Sequence, residues 1–223
     1  MDPIVSATDY AVARNHMVDS QVRPNKVIDQ RVLDAMRALP REEFVPPSLS
    51  AIAYIDEDLP LGGGRVLMEP MVIARLVQLA AVRGGERALV VGAGSGYGAA
   101  LLAACGAKVT ALEDDVALIA LARAALAEVP GITLVSGPLA EGWKAAAPYD
   151  VLFIEGAVEE IPPALAAQLR VGSGRLVAVR AVPGRPGQAV IGEASPAGLT
   201  LQPAFDCVAP ALPSLRRVAG FVF

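Results

Sequence analysis

A glycine-rich turn between two predicted elements constrains this chain more than any other feature. Residues 88–97 read Ala88-Leu89-Val90-Val91-Gly92-Ala93-Gly94-Ser95-Gly96-Tyr97. A buried strand over 87–91 delivers the backbone to three alternating glycines, and a helix is predicted over 96–105. Glycine there lets the backbone turn sharply and approach a ligand, and the helix start offers N–H groups without intrahelical partners. Glu113 ends the next predicted strand, about 20 residues beyond the first glycine, where an acidic side chain accepts hydrogen bonds from both hydroxyls of a ribose.

The choice of ribose-bearing group turns on Tyr97. The dinucleotide fingerprint wants Gly or Ala at its sixth position, and a bulky Tyr there obstructs the close helix–strand approach a pyrophosphate needs. The form Gly-x-Gly-x-Gly is common in S-adenosylmethionine enzymes. Gly92, Ala93, Gly94 and Gly96, with Glu113 and the adjacent Asp114, are therefore the candidate cofactor cradle. The competing reading is a glycine turn that serves only tight packing.

Around this turn the pattern alternates strand and helix. Strands are predicted over 87–91, 108–112, 132–135, 151–154 and 175–179, and helices over 96–105, 116–129 and 162–169. That alternation implies a parallel sheet covered on both faces. The tail at 189–191, 199–205 and 218–223 has turns and no good helix, and reads as antiparallel strands completing one edge. The N-terminal part is helical, with a weak helix over 10–18 and a stronger one over 28–39. The stronger one has Ile28, Val32, Met36 and Leu39 in its stripe and Pro40 as its stop. Residues 46–64 lose periodicity and end in Gly62-Gly63-Gly64, a loop with little backbone restraint. Pro70 opens a further helix running to about Arg83. The expected fold is a Rossmann-like, doubly wound α/β sheet, mostly parallel with an antiparallel C-terminal edge, plus an N-terminal helical segment. Residues 1–84 would pack on an α/β domain over 85–223 as one globular unit.

Composition narrows the partners. With 19 Lys and Arg against 23 Asp and Glu among 223 residues, the net charge is −4, the wrong sign for a duplex-binding footprint. Aromatic residues make up 4%, too few for single-strand stacking platforms. The mean hydropathy of +0.48 raises a membrane question. The uncharged stretch over 88–107 is interrupted by glycines, Ser95 and Tyr97, which suits strand–turn–helix better than a span. Met1-Asp2-Pro3 lacks the basic and apolar regions of a signal peptide, and Cys105 and Cys207 form neither a metal spacing nor a disulfide framework. These features suggest a cytoplasmic chain that binds neither nucleic acid nor membrane.

Three stretches then resemble the protein-L-isoaspartate O-methyltransferase family. They are Arg31-Val32-Leu33-Asp34-Ala35-Met36 through Pro40-Arg41-Glu42-Glu43-Phe44-Val45-Pro46, then Ala53-Tyr54 through Leu59-Pro60-Leu61, and lastly Tyr149-Asp150 through Ile161-Pro162-Pro163-Ala164-Leu165 to Gly174-Arg175-Leu176-Val177. The resemblance implies an enzyme that uses S-adenosylmethionine to methylate the α-carboxyl of an isoaspartyl residue, so that the partner is a protein or peptide bearing a carboxylate. Such a carboxylate is already anionic at pH 7, so positioning and charge placement supply most of the catalysis and no nucleophile is required.

The chain departs from the family at three places. Where the family runs Gly-His-Gly-Gln-Thr-Ile-Ser, this chain has Gly62-Gly63-Gly64-Arg65-Val66-Leu67-Met68, so the hydroxyls that would hold the substrate carboxylate fall at Val66 and Met68. Arg65 and Glu69 are new charges. Arg65 offers a bidentate clamp for a carboxylate, the alternative being a solvated loop cation. Val90 stands where many methyltransferases carry an acid. Pro138 stands where the family has an Asp that meets the adenine, leaving the Leu139 N–H as the remaining donor there.

Other residues are weighed more briefly. His16 reads as a surface helix residue, and Trp143 and Tyr149 as core packing or an adenine wall. Glu155 reads as either a ligand contact or a solvated carboxylate, and Arg216-Arg217 as a solvated pair. Three functions stay open: the family's carboxyl methyltransferase, a methyltransferase with another acceptor, and a non-catalytic domain that binds a partner or the cofactor.

Overall fold

The computed structural model describes residues 7–181, 184 and 186–216. Helices α1 (Ala7–Met17) and α2 (Gln30–Ala38) open the chain. Asp29 caps α2 by accepting from the Arg31 N–H, which satisfies one of the helix's open donors. Ile28 therefore lies outside the helix and is exposed, whereas Val32, Leu33 and Met36 are buried. The expected helix starts two residues too early, because Asp29 caps it and leaves Ile28 outside.

The stretch 46–64, expected to be aperiodic and to end in a loop, instead runs into a hairpin over 59–67. Strands β1 (Leu59–Gly62) and β2 (Arg65–Leu67) pair antiparallel as a separate two-stranded sheet. Gly62, Gly63 and Gly64 all take positive φ at its turn, a conformation side chains resist. The backbone there is restrained, not free. Helix α3 (Pro70–Ala80) starts at its proline and stops at Ala81, which is left-handed, short of the expected Arg83.

Strands β3 (Arg87–Val91), β4 (Lys108–Glu113), β5 (Ile132–Ser136), β6 (Val151–Val158), β7 (Arg175–Arg180), β8 (Gln188–Ser195) and β9 (Gly198–Asp206) form one sheet in the order β5-β4-β3-β6-β7-β8-β9. Neighbours from β5 through β7 pair parallel, and β8 and β9 pair antiparallel at the edge. Helices α4 (Tyr97–Ala104), α5 (Val116–Ala125) and α6 (Pro163–Ala166) connect the parallel strands. Both α5 and α6 are shorter than periodicity predicts, because turns and Pro130 or Gln168 take over their last residues. Side chains of β3 alternate between two apolar clusters. Ala88 and Val90 join Phe153 and Val177 on one face, and Leu89 and Val91 join Leu152 and Ile154 on the other. The sheet is thus doubly wound, as expected. The last expected strand, over 218–223, lies outside the described residues.

Two consequences matter for the site. The order reverses at β3, whose neighbours are β4 and β6, and open α/β sheets bind ligands in the crevice at such a switch point. Beyond β9 the chain also folds back over that crevice. The Ala157 N–H donates to Pro210 O (2.9 Å), and the Leu212 N–H donates to Ala157 O (2.9 Å), fixing residues 210–212 against the end of β6.

Candidate active site

The switch point gathers the predicted cradle. The glycine turn follows β3, Glu113 ends β4, and Glu155 sits on β6. Gly92, Gly94 and Gly96 have φ of +71°, +58° and +94°, so the turn needs all three glycines. The Gly92 and Ala93 N–H groups both donate to Leu112 O at 3.0 Å, locking the turn onto β4.

Glu113 is fully buried. Its Oε2 accepts from the Gly94 N–H at 2.7 Å, and its Oε1 accepts from the Asp114 and Asp115 N–H groups at 3.0 and 3.1 Å. The carboxylate thus stands one strand over from the turn, at the place spacing predicts. Asp114 contributes only its backbone, and the next acid, Asp115, caps α5 by accepting from Ala117 and Leu118.

The face of Glu113 that a sugar would use is taken by Arg65. Arg65 Nη1 donates to Oε1 at 3.0 Å and to Oε2 at 3.1 Å, and its Nη2 donates to Gly92 O at 2.6 Å. Arg65 is only 7% exposed, so the solvated-cation reading is overturned. It does clamp a carboxylate, but that carboxylate belongs to this chain. The hairpin explains why. Pairing Gly62 with Arg65 aims the side chain across the mouth of the turn.

Other side chains complete the closure. Leu212 packs on Gly92 and Gly156, Leu61 lies over Gly94, and Leu126 lies against Gly96. Every residue from Gly92 to Tyr97 is buried. Between Arg65, Glu155, Gly156 and Leu212 there remains a cavity of about 10 Å³, room for a single water centre. Sequence patterning gave no sign of Leu212, because it reaches the crevice through a fold-back of irregular backbone.

Glu155 faces the same cavity. It is buried, and its Oε2 has no hydrogen-bond partner. Burial pushes its pKa up to about 8, with Arg65 opposing that rise and Glu113 adding to it. The solvated-loop reading of Glu155 is therefore corrected. Arg41 is a further buried cation that sequence reasoning noted only as part of a resemblance. Its Nε donates to Ala53 O (2.8 Å) and its Nη2 to Met68 O (2.7 Å), and it lies 5.0 Å from the centroid of the Tyr97 ring. It ties the end of the hairpin to the start of α4. Burial lowers its pKa and raises that of Tyr97.

Of the substrate-loop positions, Met68 is buried and Val66 half-buried, and neither carries a hydroxyl. Pro138 opens a single turn over Leu139–Glu141, in which Leu139 is buried among apolar side chains. Trp143 is half-buried beside Gly137, and Tyr149 is in the core, donating to Trp143 O at 2.8 Å. His16 is exposed on α1 and shares a 3.4 Å contact with Ser20 Oγ. Arg216 is exposed, and its neighbour Arg217 lies outside the described residues.

Comparison with known proteins decides the ancestry. The profile of the protein-L-isoaspartate(D-aspartate) O-methyltransferase family matches residues 12–185. The chain belongs to this family. A protein-L-isoaspartate O-methyltransferase of Methylorubrum extorquens (strain PA1) is 46% identical over 178 residues, covering 79% of this chain and 77% of that protein. One of Koribacter versatilis (strain Ellin345) is 40% identical over 172 residues, covering 76% and 77%. A solved protein-L-isoaspartate O-methyltransferase shares the fold, with a TM-score of 0.77 at 22% identity over 91% of this chain and 67% of that one. The α/β methyltransferase fold expected from sequence is therefore present, and the family is one of S-adenosylmethionine-dependent carboxyl methyltransferases. Among the described residues no helix is long and apolar enough to cross a membrane, and no group of His, Cys, Asp or Glu is arranged to hold a metal ion.

The family's cofactor can be set against this geometry. Glu113 supplies the carboxylate a ribose needs, and the turn supplies the close backbone. Both carboxylate oxygens are nevertheless engaged by Arg65. A ribose on Glu113 and the Arg65 guanidinium would therefore compete for the same carboxylate oxygens.

Proposed function

We propose that this protein is an S-adenosylmethionine-dependent methyltransferase acting on carboxyl groups of proteins or peptides, isoaspartyl residues being the acceptor class its family implies. One observation carries the reading. Glu113 ends the strand beside the glycine turn and accepts from the Gly94 N–H at 2.7 Å, which fixes a buried carboxylate at the switch point of the sheet. Gly92, Ala93, Gly94, Gly96 and Glu113 are the residues assigned to the cofactor, with Asp114 and the Leu139 N–H at its margin.

The chain's own residues do the positioning. Arg41 fixes the hairpin through the Met68 carbonyl, and the hairpin carries positions 65–68 over the crevice. A cytoplasmic location agrees with this reading, since a protein-repair acceptor is any damaged chain in the cell.

A second reading is favoured by a specific observation. With Val66 and Met68 in place of hydroxyl residues and Arg65 on Glu113, the crevice is built for a different acceptor or for none. Transfer of a labelled methyl group from S-adenosylmethionine to an isoaspartyl peptide separates the two. Base-labile methyl ester on the peptide supports the first reading. Cofactor binding without ester formation supports another acceptor.

A further inference from the structure

Arg65 is the side chain that a family comparison leaves without a role, and its surroundings define one. Its three hydrogen bonds fall on the two groups that line the mouth of the turn, the Glu113 carboxylate and the Gly92 carbonyl. A ribose that donated both hydroxyls to Glu113 would need the same lone pairs. The guanidinium and the sugar therefore exclude each other.

The charge balance points the same way. Arg65 hydrogen-bonds the buried Glu113 carboxylate and lines a small cavity with the buried Glu155, whose Oε2 has no hydrogen-bond partner. Withdrawing Arg65 leaves the buried Glu113 carboxylate without its cation, an arrangement costly without a replacement. S-adenosylmethionine carries a sulfonium and an ammonium, so it brings its own positive charge. The hairpin that holds Arg65 is a separate two-stranded sheet, paired with no strand of the main one, so displacing its Arg65 end breaks no ladder of the main sheet.

We propose that Arg65 is an internal competitor for the cofactor site: the hairpin over 59–67 holds the cradle closed through the Arg65–Glu113 pair, and the nucleoside enters only as that pair parts. This rests on the reading of Glu113 as the ribose ligand. The apparent affinity for cofactor is then the intrinsic affinity scaled by the fraction of molecules in the open state, and weakening the pair raises it.

The test is equilibrium binding of S-adenosylhomocysteine to the full chain by calorimetry, for the wild type, Arg65→Gln and Arg65→Lys. Glutamine keeps a polar side chain but cannot bridge Glu113 and Gly92 as a charged fork, and lysine reaches as a single point charge. The expected result is binding about tenfold tighter or more for Arg65→Gln, with Arg65→Lys between it and the wild type. Should Arg65→Gln fail to fold, Arg65→Lys carries the test alone, by the same criterion. Equal or weaker binding by the variants overturns the proposal while leaving the methyltransferase reading intact, provided the wild type binds. Absence of binding in all three overturns both.

Discussion

The guanidinium of Arg65 and the carboxylate of Glu113 form a buried pair with Nη1 at 3.0 and 3.1 Å from the two oxygens, although their positions are 48 residues apart. Neither residue is unusual by itself. Their meeting joins the hairpin to the central sheet, and it places a protein cation on the carboxylate proposed to hold the cofactor's sugar.

Breaking this pair has a stability cost. Arg65→Gln leaves Glu113 buried with only backbone N–H partners, and removing one member of a buried pair costs about 3–5 kcal/mol. Urea unfolding of the variant without ligand should show a midpoint below the wild type's. Saturating S-adenosylhomocysteine should recover more stability in the variant than in the wild type.

Glu155 makes stability depend on pH. Its folded pKa, raised to about 8 by burial, lies above the ordinary carboxylate value of 4.5, so the folded state holds its proton more tightly than the unfolded chain. Its contribution is fully present below about pH 4.5 and is lost as pH rises through about 8. Glu155→Gln keeps a neutral side chain throughout. Unfolding free energies from urea titrations between pH 5 and 9 should fall more steeply for the wild type than for the variant, by an amount of order a few kcal/mol.

Leu212 closes the crevice from above. It is 2% exposed and packs on Gly92 and Gly156. Leu212→Ala should cost about 2–5 kcal/mol and enlarge the cavity now near 10 Å³. Chemical denaturation measures the first effect, and a crystal structure of the variant measures the second.

The glycine turn offers a sharper contrast. At Gly96, with φ +94°, an added Cβ would lie 2.7 Å from Leu126 Cδ1, whereas Gly172, with φ +85°, has open space around it. Gly172→Ala should cost about 1–2 kcal/mol for the left-handed backbone alone. Gly96→Ala should cost more, because Leu126 must also move, and thermal melts of the two variants side by side read the difference.

Much of this was legible in the sequence, for identifiable reasons. Strands β3, β4 and β7 fall within a residue of their predicted bounds, because buried parallel strands are short apolar runs with sharp glycine or proline borders. Glu113 was placed by spacing alone. The hairpin escaped because Leu59–Gly62 has a proline and a glycine in four residues, which read locally as loop. A carboxylate clamp at Arg65 is one of two readings the sequence allows, beside a solvated loop cation, and its partner is not legible, since nothing in local pattern links a hairpin to a strand end 48 residues on. Leu212 was invisible for the same reason, its position being set by hydrogen bonds to Ala157.

The most direct measurement is a crystal structure of the wild type grown with S-adenosylhomocysteine at saturating concentration. The account predicts the ribose hydroxyls on Glu113 and the Arg65 guanidinium displaced from it. A nucleoside bound with the Arg65–Glu113 distances still near 3 Å would contradict it.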